Sequence, residues 1–376
     1  MSAEPGAETI DKTPRLRTPR LTGSRAIGRL PPSVNVGILC LATVSLADAA
    51  LRHESGLSGD EPFYTRMANH PGGPHSFPYA YRVAVPWLVH VLPFSQVVSF
   101  QLLALLAIAA SGAALYALLR EFEVGSLLAA ALSVGFALSP TLLVVLVRHG
   151  RSIDPASILV IVLGCLFIVR RQKLALAVTI LVGVAVRESS LFLVPLAYAI
   201  WAERLVDREA LRDVVLISVL PVVAYVVLRT SIDAVGRQYV PGYTGPFLKA
   251  RIDIIRQAFS SATLPVELRR LAYTYGPLWL AAPFALRSVP FARRGLVLVA
   301  LCAASMTFAF DWGRIIFLAA PVFYVGAAVV VRQRRRLALA TVIALFALDI
   351  GYGIYLQAYG VKHGIDSSVS RGTPVY

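Results

Sequence analysis

Apolar residues fall along the chain in long blocks, at approximately 34–51, 96–119, 126–147, 155–169, 174–186, 189–203, 213–229, 272–286, 295–310, 315–331 and 337–357. Inside a block they follow neither the one-sided helical spacing of a soluble helix nor the alternation of a half-buried strand. Continuous apolarity is what a segment surrounded by lipid requires. Several blocks hold about 20 residues, enough to cross ~30 Å of hydrocarbon as a helix. Blocks 174–186 and 189–203 are short; they either cross a thinned region or extend through polar residues buried in the bundle. The pattern predicts an all-α polytopic membrane protein with about eleven transmembrane helices, since a single-chain span must satisfy its own backbone hydrogen bonds.

The polar links between blocks set an orientation. With a basic N-terminal tail inside, the even-numbered crossings end at Arg120, at Arg170 to Lys173, at Arg204 to Arg212, at Arg287 to Arg294 and at Arg332 to Arg336. Every concentrated basic link then lies in the cytoplasm, as the positive-inside rule demands. The implied organisation is a disordered basic cytoplasmic tail over 1–33, a membrane domain over 34–359 and an outer tail over 360–376. Two outer links are long, 52–95 and 230–271. In the first, Tyr81 to Leu92 is apolar with Trp and His and reads as an interfacial or re-entrant helix. In the second, Leu248 to Phe259 is amphipathic and reads as lying on the outer surface.

Composition agrees with the blocks: 57% of the 376 residues are hydrophobic and only 15% charged, with a mean hydropathy of +0.69. The formal charge of +15 would suggest nucleic acid in a soluble protein. Here it follows the cytoplasmic links, so it reports orientation and contact with anionic lipid, and nucleic acid is not an expected partner. Cys40, Cys165 and Cys302 each sit inside an apolar block and read as small core residues.

Against this background the ionisable residues of the outer turns stand out: Asp60-Glu61, Arg66, Arg82, Arg148, His149, Arg151, Asp154, Arg187-Glu188, Asp311 and Arg314. Charges at such places are costly and mark function. Local pairing offers the plainer reading, Arg187 with Glu188, Asp311 with Arg314 and Arg151 with Asp154. Their shared sidedness favours a polar cavity open to the outer face, with arginines suited to phosphate. Asp60 and Glu61 are the sharpest feature, held in a Gly–Asp–Glu–Pro turn that presents both carboxylates.

Gly59-Asp60-Glu61-Pro62-Phe63-Tyr64, just after the first block, resembles the first-loop acidic motif of GT-C glycosyltransferases. Tyr81-Arg82-Val83-Ala84-Val85-Pro86, Arg187-Glu188-Ser189-Ser190 and Asp311-Trp312-Gly313-Arg314 are similar to segments of bacterial members, in the same order. The resemblance implies a compact GT-C fold in a bacterial plasma membrane, with a polyprenyl-phosphate-linked sugar as donor and a lipid or glycan of the cell envelope as acceptor. The reaction it implies inverts the anomeric centre in one displacement. That needs one base and cationic groups for the departing lipid phosphate. Matched to the motif, Asp60 is the expected base, with Glu61 as its substitute or orienting partner. Arg187 and Arg314, then Arg82 and Arg148, are the expected phosphate ligands, because a guanidinium has a fixed charge and forked donors. Glu188, Asp311, Asp154, His75 and His149 are expected in support. There is no DxD motif in the second long outer loop, so no metal site is assigned and a divalent cation is not indicated.

The sequence holds no P-loop, GxGxxG, HExxH or Cys/His cluster. A transporter or flippase of a lipid-linked saccharide remains an alternative, although no internal repeat of the kind such proteins carry is visible. A non-catalytic partner in envelope assembly is a third reading.

Overall fold

The computed structural model describes residues 30–51, 60–148, 150–232, 234–235, 247–261, 263–308 and 311–363. Most of the basic tail, Gly59, His149, the 236–246 part of the second long loop and the tail beyond 363 lie outside the described residues.

The chain runs through α1 (Pro32–Ala50), α2 (Glu61–Asn69), the short strand β1 (His75–Ser76), α3 (Ala84–Val91), α4 (Gln96–Glu121), α5 (Ser126–Ala137), α6 (Pro140–Arg148), α7 (Asp154–Val169), α8 (Lys173–Val186) and α9 (Leu193–Trp201). It continues through α10 (Arg208–Ser231), β2 (Ala234–Val235), α11 (Phe247–Ala258), α12 (Leu264–Tyr275), α13 (Leu278–Ser288), α14 (Pro290–Arg294) and α15 (Leu296–Ser305). It closes with α16 (Trp312–Ile316), α17 (Ala320–Val331) and α18 (Arg335–His363).

Among the described residues, six spans are long and apolar enough to cross a bilayer: α1, α4, α5 with α6, α10, α16 with α17, and α18. Residues 278–288 and 290–305 add a seventh if they count as one span, although they are bent against each other by 98°. Six or seven falls short of the eleven expected. Two of the expected crossings are α7, with 16 residues, and α8, with 14. At ~1.5 Å per residue α7 covers about 24 Å, less than the ~30 Å hydrocarbon core. The polar turns at Arg170–Lys173 and Arg187–Glu188 are what cut these helices short.

The spans differ in how much protein surrounds them. In α5 with α6, and in α16 with α17, 78% of the apolar window is buried inside the protein; in α10 and α18 the share is 17%. The first two form the centre with α4, which packs against α1 and α7. The poorly covered helices form a rim whose free sides carry Leu220, Val223, Val227, Ile343 and Ile350. Apolarity on every side is what a rim in lipid needs.

Ion pairs sort the helix ends into two groups. At one end the last turn of α4 meets the last turn of α7 through Glu121 and Arg170 at 2.8 Å, Lys173 of α8 meets Asp213 of α10 at 2.6 Å, and Arg332 after α17 meets Glu123 at 3.7 Å. The opposite end of α7 begins at Asp154 and carries the candidate site. There α2 packs on α3, which meets α4 and α8 and exposes Trp87, Leu88 and Val91. His75 and Ser76 pair in parallel with Ala234 and Val235. The guanidinium of Arg229 lies 4.0 Å from the Tyr81 ring centre and 5.0 Å from that of Tyr225. These contacts join the two long loops to the end of α10.

Block 272–286, expected as one span, is divided at Gly276-Pro277. Gly276 has φ +47°, and a Cβ there would lie 2.2 Å from Leu348 Cδ2. Only glycine allows both that backbone and the close approach of α18.

Candidate functional site

The site is assembled from five short segments, 60–64, 79–82, 151–154, 187–188 and 311–314. Asp60 stands at the start of α2, where Pro62 fits the first turn because its missing N–H is not needed there. The expected tight turn is therefore the start of a helix, and Asp60 meets its positive end. Asp60 Oδ1 accepts a hydrogen bond of 2.9 Å from the Tyr79 hydroxyl. Phe63 stacks on Tyr79 with ring centres 4.4 Å apart, and Tyr64 meets Tyr79 edge-on at 5.7 Å. Burial, and then the nearby charge of Asp60, holds the Tyr79 phenol well above the ordinary tyrosine range, so it remains a donor. Burial raises Tyr64 in the same way, against the opposing effect of Arg82.

Glu61 points elsewhere. It is 5% exposed, and its Oε1 accepts the backbone N–H of Arg151 at 2.9 Å. That bond ties the start of α2 to the turn before α7.

Arg82 is held by all three of its nitrogens. Nε and Nη2 donate to the two oxygens of Glu188 at 3.1 and 2.6 Å, and Nη1 donates to the Tyr64 hydroxyl at 3.1 Å. The forked pair joins residues 106 positions apart, with the geometry that makes arginine–carboxylate contacts strong.

Asp154 is the hub of the opposite wall. Its Oδ1 takes Arg187 Nη1 at 2.7 Å and its Oδ2 takes Arg314 Nη1 at 2.9 Å. Arg314 Nε also pairs with Asp311, which accepts the Arg314 backbone N–H at 3.2 Å as the cap of α16. Asp60 is close enough to act electrostatically on Arg314. The Arg187 and Arg314 side chains keep 19% and 18% of their surface exposed. Among the described residues, Arg187 donates a side-chain hydrogen bond through Nη1 alone.

The pairings differ from the local ones expected. Asp311 does pair with Arg314. Glu188 pairs with Arg82 instead of its neighbour Arg187, and Asp154 takes Arg187 and Arg314. His75 lies outside the cluster: it is 4% exposed and its Nε2 is 3.2 Å from the Pro71 carbonyl. Arg148 closes α6 near this end, and only its backbone is described.

Two members of the region were not singled out from sequence. Glu267 on α12 is fully buried, pairs with Arg270 at 2.6 Å and accepts the Trp312 backbone N–H at 3.0 Å. Their i, i+3 spacing on an amphipathic helix was the available signal. A cavity of about 30 Å³ lies between Arg270, Tyr273, Asp311, Arg314 and Tyr352. An open bowl of about 520 Å³ lies at the other end of α2, lined by Arg66, Asn69, His70 and the Gly72-Gly73 turn. Among the described residues, no three His, Cys, Asp or Glu side chains are grouped to hold a metal ion.

The arrangement offers one carboxylate beside an aromatic wall and, within its electrostatic reach, Arg314, which shares the buried Asp154 carboxylate with Arg187. It can accept a proton on one side and hold an anion on the other. No protein-family model matches the chain, and no curated protein matches it.

Proposed function

We propose that the chain is an inverting glycosyltransferase that moves a sugar from a polyprenyl-phosphate carrier to a cell-envelope lipid or glycan on the outer face of a bacterial plasma membrane. The observations behind this reading are the Asp60 carboxylate held by Tyr79, its electrostatic reach to Arg314 and the Arg187–Asp154–Arg314 bridge, all at the helix ends remote from the basic turns. If those basic turns are cytoplasmic, the cluster is at the outer surface, where a lipid-linked donor is presented. The reading takes α7, α8, the 188–201 helix and both halves of the bent pair as crossings in addition to the six long spans.

In this mechanism Asp60 accepts the proton of an acceptor hydroxyl as that oxygen attacks the anomeric carbon. The bond from that carbon to the phosphate oxygen breaks, and the polyprenyl phosphate leaves with the electron pair. Arg187 and Arg314 neutralise the developing phosphate charge. The Tyr79 hydrogen bond fixes the Asp60 rotamer through Oδ1 and leaves Oδ2 to meet the acceptor. Arg82, with every nitrogen engaged, serves as a support that holds Tyr64 and Glu188, and does not bind donor.

The roles separate by kinetics in proteoliposomes supplied with a labelled polyprenyl-phosphate sugar. Arg187→Lys loses forked donors at a site with spare N–H groups. Losing one charge-assisted bond of about 1.5–3 kcal/mol lowers donor kcat/KM by roughly 10- to 100-fold. An unchanged donor kcat/KM in folded Arg187→Lys and Arg314→Lys proteins would remove these residues from the donor site. The transporter reading instead expects labelled donor to cross the vesicle membrane with its sugar–phosphate bond intact, and the same vesicles report that.

A further inference from the structure

Asp349 is a second unusual acid, and the proposed transfer chemistry makes no use of it. It lies near the middle of α18, about 21 Å from the first residue at ~1.5 Å per residue. It is 2% exposed, and among the described residues neither carboxylate oxygen has a hydrogen-bond partner. Tyr324 of α17 is within electrostatic reach and fully buried, and its hydroxyl is also without a partner. α18 packs against α5, α6 and α17. α5 contains no titratable residue, and a Cβ added at its Gly135 would lie 3.6 Å from Asp349 Oδ2. The carboxyl therefore rests against the bare backbone of α5. α6 contributes Arg148 at its terminus, α17 contributes Tyr324, and on α18 itself Tyr352 lies one turn further on. The buried acid of α1, Asp48, is placed differently, because Gln101 donates to it at 2.5 Å.

An ionised carboxylate with no cation or donor among the described residues, buried between apolar helices, costs several kcal/mol, whereas the neutral acid does not. We infer that Asp349 is a membrane-buried proton-binding site, held as a neutral carboxylic acid and reactive toward lipid-soluble carbodiimides. In that reaction the acid proton moves to one carbodiimide nitrogen and the carboxyl oxygen bonds to the central carbon. The O-acylisourea then rearranges to a stable N-acylurea, so the full reagent mass is added and nothing leaves.

The test uses the full chain in proteoliposomes near neutral pH, treated with dicyclohexylcarbodiimide or with a water-soluble carbodiimide, and mapped by peptide mass spectrometry. The expected result is the N-acylurea mass on Asp349 of the wild-type protein with the lipid-soluble reagent alone, unaffected by sodium or potassium chloride. Asp349→Asn loses that adduct, and Asp48→Asn keeps it. Absence of an adduct at Asp349 overturns the inference. So does an adduct suppressed by sodium or potassium, which would make the site one for a monovalent cation. The mapping is made on wild-type protein, so it decides the question even if Asp349→Asn fails to fold.

Discussion

The Arg82–Glu188 fork is the strongest single tie between the first long loop and the helical bundle, and a double-mutant cycle measures it. Arg82 is 8% exposed and gives Glu188 bonds of 3.1 and 2.6 Å. Removing one partner of a fully buried pair costs about 3–5 kcal/mol, because the other charge is left uncompensated. The Glu188 side chain is 35% exposed, so water reaches part of the gap, and the lower end of that range applies. We expect Glu188→Ala to cost about 3 kcal/mol, since it strands a buried guanidinium, and Arg82→Ala about 2 kcal/mol, since it strands a half-solvated carboxylate. The double variant strands neither and should cost about 3 kcal/mol, giving a coupling of about 2 kcal/mol. Reversible unfolding in mixed micelles, titrated with dodecyl sulfate and followed by tryptophan fluorescence, reads each corner of the cycle. Single costs that add to within about 0.5 kcal/mol would show that the pair is not coupled and would refute the claim that it anchors the loop carrying Asp60.

Other substitutions test separate parts of the structure. Gly276→Ala combines a left-handed backbone with a Cβ placed 2.2 Å from Leu348 Cδ2. It should lower stability by about 1–3 kcal/mol in the same unfolding assay, and a neutral result would mean that α18 does not press against the α12–α13 turn. At the other end of the bundle Asp207 caps α10, accepting the N–H groups of Glu209 and Ala210 at 3.1 Å each. The backbone N–H of Glu203, at 3.0 Å from Oδ2, and then that of Ala210 hold its carboxyl below the ordinary range. A folded-state value below the unfolded one gives stability that is present above the unfolded value and disappears as pH falls through the folded one. Asp207→Ala should therefore speed amide exchange at Glu209 and Ala210 at neutral pH, with the difference from wild type closing only in acid, once pH has fallen below the ordinary aspartate value of about 3.9. A gap that persists in acid would assign the cap to something other than the ionised carboxylate.

Much of the architecture can be read from the apolar blocks alone. The long spans, the short apolar α3 and the amphipathic α11 all follow from the pattern of side chains. The partners of the charges do not. Arg187 and Glu188 are adjacent in sequence, but Arg187 has an extended backbone with φ −162° and ψ 139°, and successive side chains on extended backbone point apart. Glu188 therefore finds Arg82, and Arg187 finds Asp154. Similarly, the Gly–Asp–Glu–Pro segment reads as a turn because its residues favour turns, yet Pro62 is equally suited to begin a helix. What decides between these is Glu61 reaching the backbone of Arg151, a contact that sequence spacing cannot reveal. The ends of the short helices are a separate matter, because composition marks apolar character without fixing where a polar turn ends the helix.

The proposed mechanism depends on Asp60 being the group that accepts the acceptor's proton. Its most direct test is sugar transfer by purified Asp60→Asn protein in proteoliposomes, using the labelled polyprenyl-phosphate donor that supports the wild-type chain. Asparagine keeps the size of the side chain and its bond to Tyr79 and removes the basic oxygen. The expected result is a folded protein whose donor affinity is retained and whose turnover falls by about 100-fold or more. Transfer at the wild-type rate would contradict the mechanism.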